Sequence, residues 1–198
     1  MPTLRPFRDY DEKDVINFYT YSGAVIDSTL QILATKGTLV KVVGDGFRAD
    51  VEPIEMLGNY GAFSVNNFVA QRYGVVPKVT TATPADSPIG MLLFDVRELD
   101  ENQMPLKYNP RKAAEMEAAI SGTAVPIVTR GTFLYSGVNV SGGVAVTAGA
   151  SAYAGVNGEI ATSGTTVIGR FLGTTGTTPT GGFNPHNEKI ALVWLNIR

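Results

Sequence analysis

With 198 residues, 44% of them hydrophobic, the chain can bury a substantial core unaided, and its lack of cysteine excludes disulfides, thiolate metal sites, iron–sulfur clusters and cysteine nucleophiles. Sixteen Lys and Arg against eighteen Asp and Glu give a net charge of -2, without the broad positive field that phosphate backbones require. Charged residues make up 17%, below the usual quarter or so, beside 22 glycines, a balance that fits a chain hiding part of its exterior in an assembly and equally a β-rich monomer with many threonine and serine side chains. No apolar run has the length of a signal-peptide core or a bilayer span, so the expectation is a soluble chain made in a cytoplasm, with no nucleic-acid and no membrane partner.

Residues 1–36 form an N-terminal zone of mixed charge, crowded with Phe7, Tyr10, Phe18, Tyr19 and Tyr21. It is expected as an extended arm. Within it, Asp11 predicts the cap of a short helix carrying Val15, Ile16, Phe18 and Tyr19 on one side and ended by Ser22-Gly23. Residues 37–198 are expected to be one β-rich domain. Its first strand is the β-branched run Thr38 to Val43, and Ile89 to Val96 reads as another. Asn109 as N-cap, Pro110 at the first helical position and the Ala, Glu and Met content of Arg111 to Ile120 predict a helical insertion, about Asn109 to Ser121.

From Thr123 onward glycine breaks the chain into short strand patterns at Val125 to Tyr135, Val138 to Val146, Ser151 to Tyr153, Glu159 to Ala161, Thr165 to Leu172 and Lys189 to Ile197. The fold class is therefore mainly β, a small β-barrel or β-sandwich-like domain with one α-helix. The last strand is apolar on both faces, Ile190, Leu192 and Trp194 alternating with Ala191, Val193 and Leu195. That places it at the centre of the fold or in an interface. Gly173 to Gly182, mostly glycine and threonine, has too little apolar mass to pack and reads as a loop.

Few residues suggest chemistry. His186 is the only histidine, which rules out a histidine triad or a multi-histidine metal site within one chain, and it reads as a loop residue. Gly44-Asp45-Gly46-Phe47-Arg48-Ala49 loosely matches a dinucleotide fingerprint, but Pro53 interrupts the helix that motif needs, so a hairpin or strand-end turn is expected. The acidic clusters Asp9, Asp11, Glu12, Asp14 and Glu98, Asp100, Glu101 lack the ligand spacing of a calcium loop and read as solvated turns and helix starts. Asn139-Val140-Ser141 is formally a glycosylation acceptor and carries no weight without a secretory signal. Paired carboxylates meeting in space would be the route to an enzyme, but no pair is singled out.

The order Gly149-Ala150-Ser151-Ala152-Tyr153, a turn at Asn157-Gly158, Ile168-Gly169-Arg170-Phe171-Leu172, a glycine-threonine loop and Ala191-Leu192-Val193-Trp194-Leu195 resembles the capsid cement, or head decoration, proteins of tailed bacteriophages. Gly37 to Val43 is similar to the first strand of that family. The resemblance implies a homotrimer on threefold or quasi-threefold positions of the outer capsid surface, partnered by itself and the major capsid protein, with no enzymatic activity, cofactor or metal. The chain departs from compact members of the family in its N-terminal zone and its helix. The arginines and aromatics of that zone, Arg5, Phe7, Arg8, Tyr10, Phe18, Tyr19 and Tyr21, are the candidate capsid contacts, since such residues anchor interfaces. They would equally serve to cover the domain's own core. Rival readings are a tail, baseplate or fibre component, and a carbohydrate-binding module using Trp194, Tyr135 and Tyr153, although the apolar strand around Trp194 points to core.

Overall fold

The computed structural model describes residues 3–6, 10–18, 20–21, 23–29, 31–43, 78–120, 124–138, 146–174 and 190–197. In chain order the strands are β1 (Thr3–Pro6), β2 (Val15–Phe18), β3 (Thr20–Tyr21), β4 (Ile32–Ala34), β5 (Leu39–Val42), β6 (Lys78–Thr81), β7 (Gly90–Leu92), β8 (Asp95–Arg97), β9 (Ala118–Ala119), β10 (Val125–Val128), β11 (Arg130–Ser136), β12 (Ser151–Ala154), β13 (Ile160–Ala161), β14 (Val167–Thr174) and β15 (Ile190–Asn196), and the helix α1 spans Pro110–Glu115. They build an outer sheet of order β1-β11-β15-β14-β12-β13, a middle sheet of order β2-β10-β7-β5-β6-β3, and a small sheet β4-β8-β9. The chain is mainly β and sandwich-like. Of the two forms expected, no closed barrel is formed among the described residues.

The middle sheet is apolar on both faces because both are covered. Leu39, Met91 and Val128 point towards the outer sheet and pack with Leu4, Phe133, Tyr135, Phe171, Val193 and Leu195. Their sequence neighbours Val40, Leu92 and Ile127 point the other way and pack with Tyr21, Val79 and Val125, joined by Ala34, Val96 and Ala119 of the small sheet. Each large side chain buried this way stabilises the fold by about 1.5–3 kcal/mol before entropy is counted. β2 and β3 stand at opposite ends of the middle sheet, yet only Tyr19 separates them in the chain. Two virtual Cα bonds reach about 7 Å, so the sheet must roll until one continuous segment forms both of its edges.

Two predicted strands turn out to be pairs, because the chain changes sheet inside an apolar run. Val125 to Tyr135 passes from β10 to β11 at Thr129, whose N–H and hydroxyl both donate to the Asp14 carbonyl, at 2.8 and 3.0 Å. Ile89 to Val96 likewise passes from β7 in the middle sheet to β8 in the small one.

Both helix expectations require correction. Asp11 does cap, its carboxylate accepting from the Lys13 N–H, but the helix is a single 3-10 turn, Glu12–Asp14. Val15 and Ile16 are then drawn into β2 opposite Val128 and Ile127, where β-branched side chains pack well. Asn109 caps α1 as expected, its side chain accepting from the Lys112 N–H. The helix nevertheless stops at Glu115, since Glu117 has a φ of 48° and Ala118–Ala119 pair in parallel with β8. Tertiary pairing overrides alanine's helical preference there. The N-terminal zone is extended, but its described residues are not a detached arm: β1 is an edge strand of the outer sheet and β2 and β3 belong to the middle one. Gly44 to Ala49, Asn139 to Ser141, His186 and most of the glycine-threonine loop lie outside the described residues.

Candidate interaction surface

The outer face of the outer sheet follows from strand alternation. In β15, Ala191, Val193 and Leu195 are buried in the core, so Leu192 and Trp194 must face outward. Trp194 is 41% exposed. It lies in register between Thr132 of β11 and Arg170 of β14, and Arg170 is in turn opposite Ser151 of β12. One row along, Leu192 faces Leu134, which faces Arg5 of β1. Leu172, two residues on from Arg170, faces out beside them by the same alternation, 47% exposed, and Val167 opposite Tyr153 extends the apolar surface at 55%. At the end of β11, Arg130 donates to the Asn196 side chain at 3.0 Å.

Arg5, Arg130 and Arg170 are all exposed, and none has a carboxylate partner among the described residues. No described strand residue on this face is acidic. Tryptophan beside arginine is the composition of interface anchors, and the leucines add apolar surface around them. The expectation that Trp194 is a core residue is thus overturned: both faces of β15 are apolar, but among the described residues only the inner one is fully buried.

The candidate contacts of the N-terminal zone scatter. Arg5 joins the outer-sheet face. Tyr21 is only 4% exposed and its hydroxyl is hydrogen-bonded to Thr81 across the middle sheet, so as a capsid contact it is corrected to a core residue. Burial pushes the Tyr21 hydroxyl above its ordinary pKa, against the opposing pull of Thr81. Tyr10 packs on Phe133 with ring centroids 6.1 Å apart, and Phe18 leans on the inner cluster. Phe7, Arg8 and Tyr19 lie outside the described residues. The residues passed over were Leu134, Arg170, Leu172 and Leu192. Only Leu192 carries a signal, as part of the outward half of the final strand.

Hollows also open elsewhere among the described residues. A groove of about 530 Å³ is lined by Tyr10, Glu12, Asn17, Leu93, Phe94 and Pro126. A second, of about 460 Å³, carries Thr35, Thr38, Thr81 and Asn157 around Tyr21. Of the second acidic cluster, Asp100 accepts from the Asn102 and Met104 N–H groups, and Glu101 pairs with Lys112 at 2.6 Å; both are structural turns. No helix among the described residues is long and apolar enough to cross a membrane. Searches of family models, curated proteins and solved structures find no match to this chain.

Proposed function

We propose that the protein is a structural component of a tailed-phage particle, a head decoration protein that assembles as a trimer on the outer capsid surface and stabilises the shell without catalysis. The observation that carries this reading is the outer-sheet face, partly exposed among the described residues, with Trp194 between Arg170 and Thr132 and leucines beside it. An isolated soluble domain would place threonine, lysine and glutamate there. Such a face needs a partner to cover it, as assembly provides, and a trimer presents three copies of its remaining surface to the shell, so after one protomer docks the others bind intramolecularly and modest contacts sum to durable attachment. The ordered strands of the N-terminal zone belong to this scaffold, and Arg5 contributes to the face itself.

The test is co-sedimentation of the purified chain with expanded and unexpanded capsids, with particle stability measured against heat. Retention on expanded capsids and a raised disruption temperature are expected. A chain that remains in the supernatant with both capsids sinks the proposal. Exposure of Trp194 also favours a second reading, sugar stacking on the indole. A glycan array separates the two, since binding lost in Trp194→Ala and kept in Trp194→Phe would support the carbohydrate module.

A further inference from the structure

We infer that the outer-sheet face is the subunit contact of this assembly, received by the groove beside Glu12 and Phe94 on a second copy of the chain. The inference rests on the self-assembly in the function proposed above and names the surfaces that would carry it. The face offers Trp194, Leu192, Leu134 and Leu172 with Arg5 and Arg170, and no described strand residue on it is acidic. Its occupant must therefore supply carboxylate beside apolar surface. With a net charge of -2 for the whole chain, the surface away from these arginines holds the excess of carboxylates.

The groove meets both needs. Glu12 is exposed and has no ion-pair partner among the described residues, and Asp11 and Asp14 adjoin it. Tyr10, Leu93, Phe94 and Pro126 supply an apolar floor in a hollow of about 530 Å³, ample for an indole. Face and groove lie on different surfaces of one chain, so the contact is head-to-tail. Repetition of a head-to-tail contact generates a ring when the rotation closes, as a trimer requires. Apolar insertion sets the affinity, and the Arg–Glu complement sets the register.

Sedimentation equilibrium and native mass spectrometry of the full chain test this, starting from the 21.0 kDa protomer. Wild type should form a trimer. Arg170→Glu and Glu12→Arg should each weaken association by about tenfold or more, since like charges then meet across the contact. The double variant should recover much of the loss, and Trp194→Ala should dissociate the trimer whatever the charge. Far-UV circular dichroism confirms that each exposed-site variant stays folded. A trimer indifferent to all of these variants overturns the inference. So does an Arg170→Glu protein that stays trimeric but leaves the capsid, which would give the face to the shell and keep the decoration function. A monomer that still co-sediments with capsids would also overturn it, with that function again intact.

Discussion

Tyr135 lies wholly inside the sandwich, and its phenolic oxygen accepts a hydrogen bond from the backbone N–H of Ile160 at 3.1 Å. This single bond ties β11, second in the outer sheet, to β13 at its far edge. Removing the hydroxyl would strand a buried N–H, which costs about 1–3 kcal/mol. Tyr135→Phe should therefore lower the melting temperature by roughly 2–10 °C for a chain of this size. An unchanged melting curve would show that Ile160 has another acceptor.

The same tyrosine makes the fold sensitive to alkali. Burial pushes its hydroxyl far above the ordinary 10.0, with the Glu159 charge adding to the rise and the Ile160 N–H opposing it. An acid whose pKa is raised on folding contributes stability that is complete below the unfolded value and is lost as pH rises through and beyond it. Wild type should thus lose stability above about pH 10 faster than Tyr135→Phe does. Denaturant midpoints from pH 7 to 11 would show the gap between the two narrowing; parallel curves would contradict this.

Asp86 gives the opposite sign at the acid end. A hydrogen bond from Lys41 at 2.8 Å, then bonds from the Thr83 hydroxyl and N–H, hold its carboxyl down at about 2 against an ordinary 3.8. A depressed carboxylate contributes stability that is present above 3.8 and is lost as pH falls towards 2. Asp86→Asn should then be less stable than wild type at neutral pH and indistinguishable from it near pH 2. A difference that persists undiminished at the acid limit would assign the effect to packing, not to charge.

Legibility in the sequence followed the range of the force involved. The β class, most strands after Thr123 and the Asn109 cap depend on local alternation, glycine breaks and side-chain capping, all of which are printed in neighbouring residues. The end of α1 and the conversion of Val15–Phe18 from helix to strand depend on pairing with β8 and β10, partners distant in sequence. Thr129 and Leu93-Phe94 carry no glycine or proline, so nothing local marks the places where the chain changes sheet. For the candidate surface, the sequence showed that β15 is apolar on both faces. It could not show which face is left open, because that depends on how the two sheets stack.

Glycine substitutions separate backbone strain from crowding. At Gly158 φ is +72°, and a Cβ would sit 2.6 Å from the Thr38 side chain and 2.8 Å from the Leu39 carbonyl oxygen, in the seat of the Asn157–Gly158 turn against β5. Gly149 has a similar φ of +85° with nothing within 4 Å, and Gly173 has open space without a positive φ. Gly149→Ala should cost about 1–2 kcal/mol, the left-handed penalty alone. Gly158→Ala should cost more, by about 1–3 kcal/mol of overpacking. Gly173→Ala should be neutral or stabilising by up to about 1 kcal/mol, because it restricts only the unfolded chain. Urea unfolding of the three variants would rank them in that order. Equal losses at Gly158 and Gly149 would mean that the turn does not seat against β5 and that the two sheets meet differently at this corner.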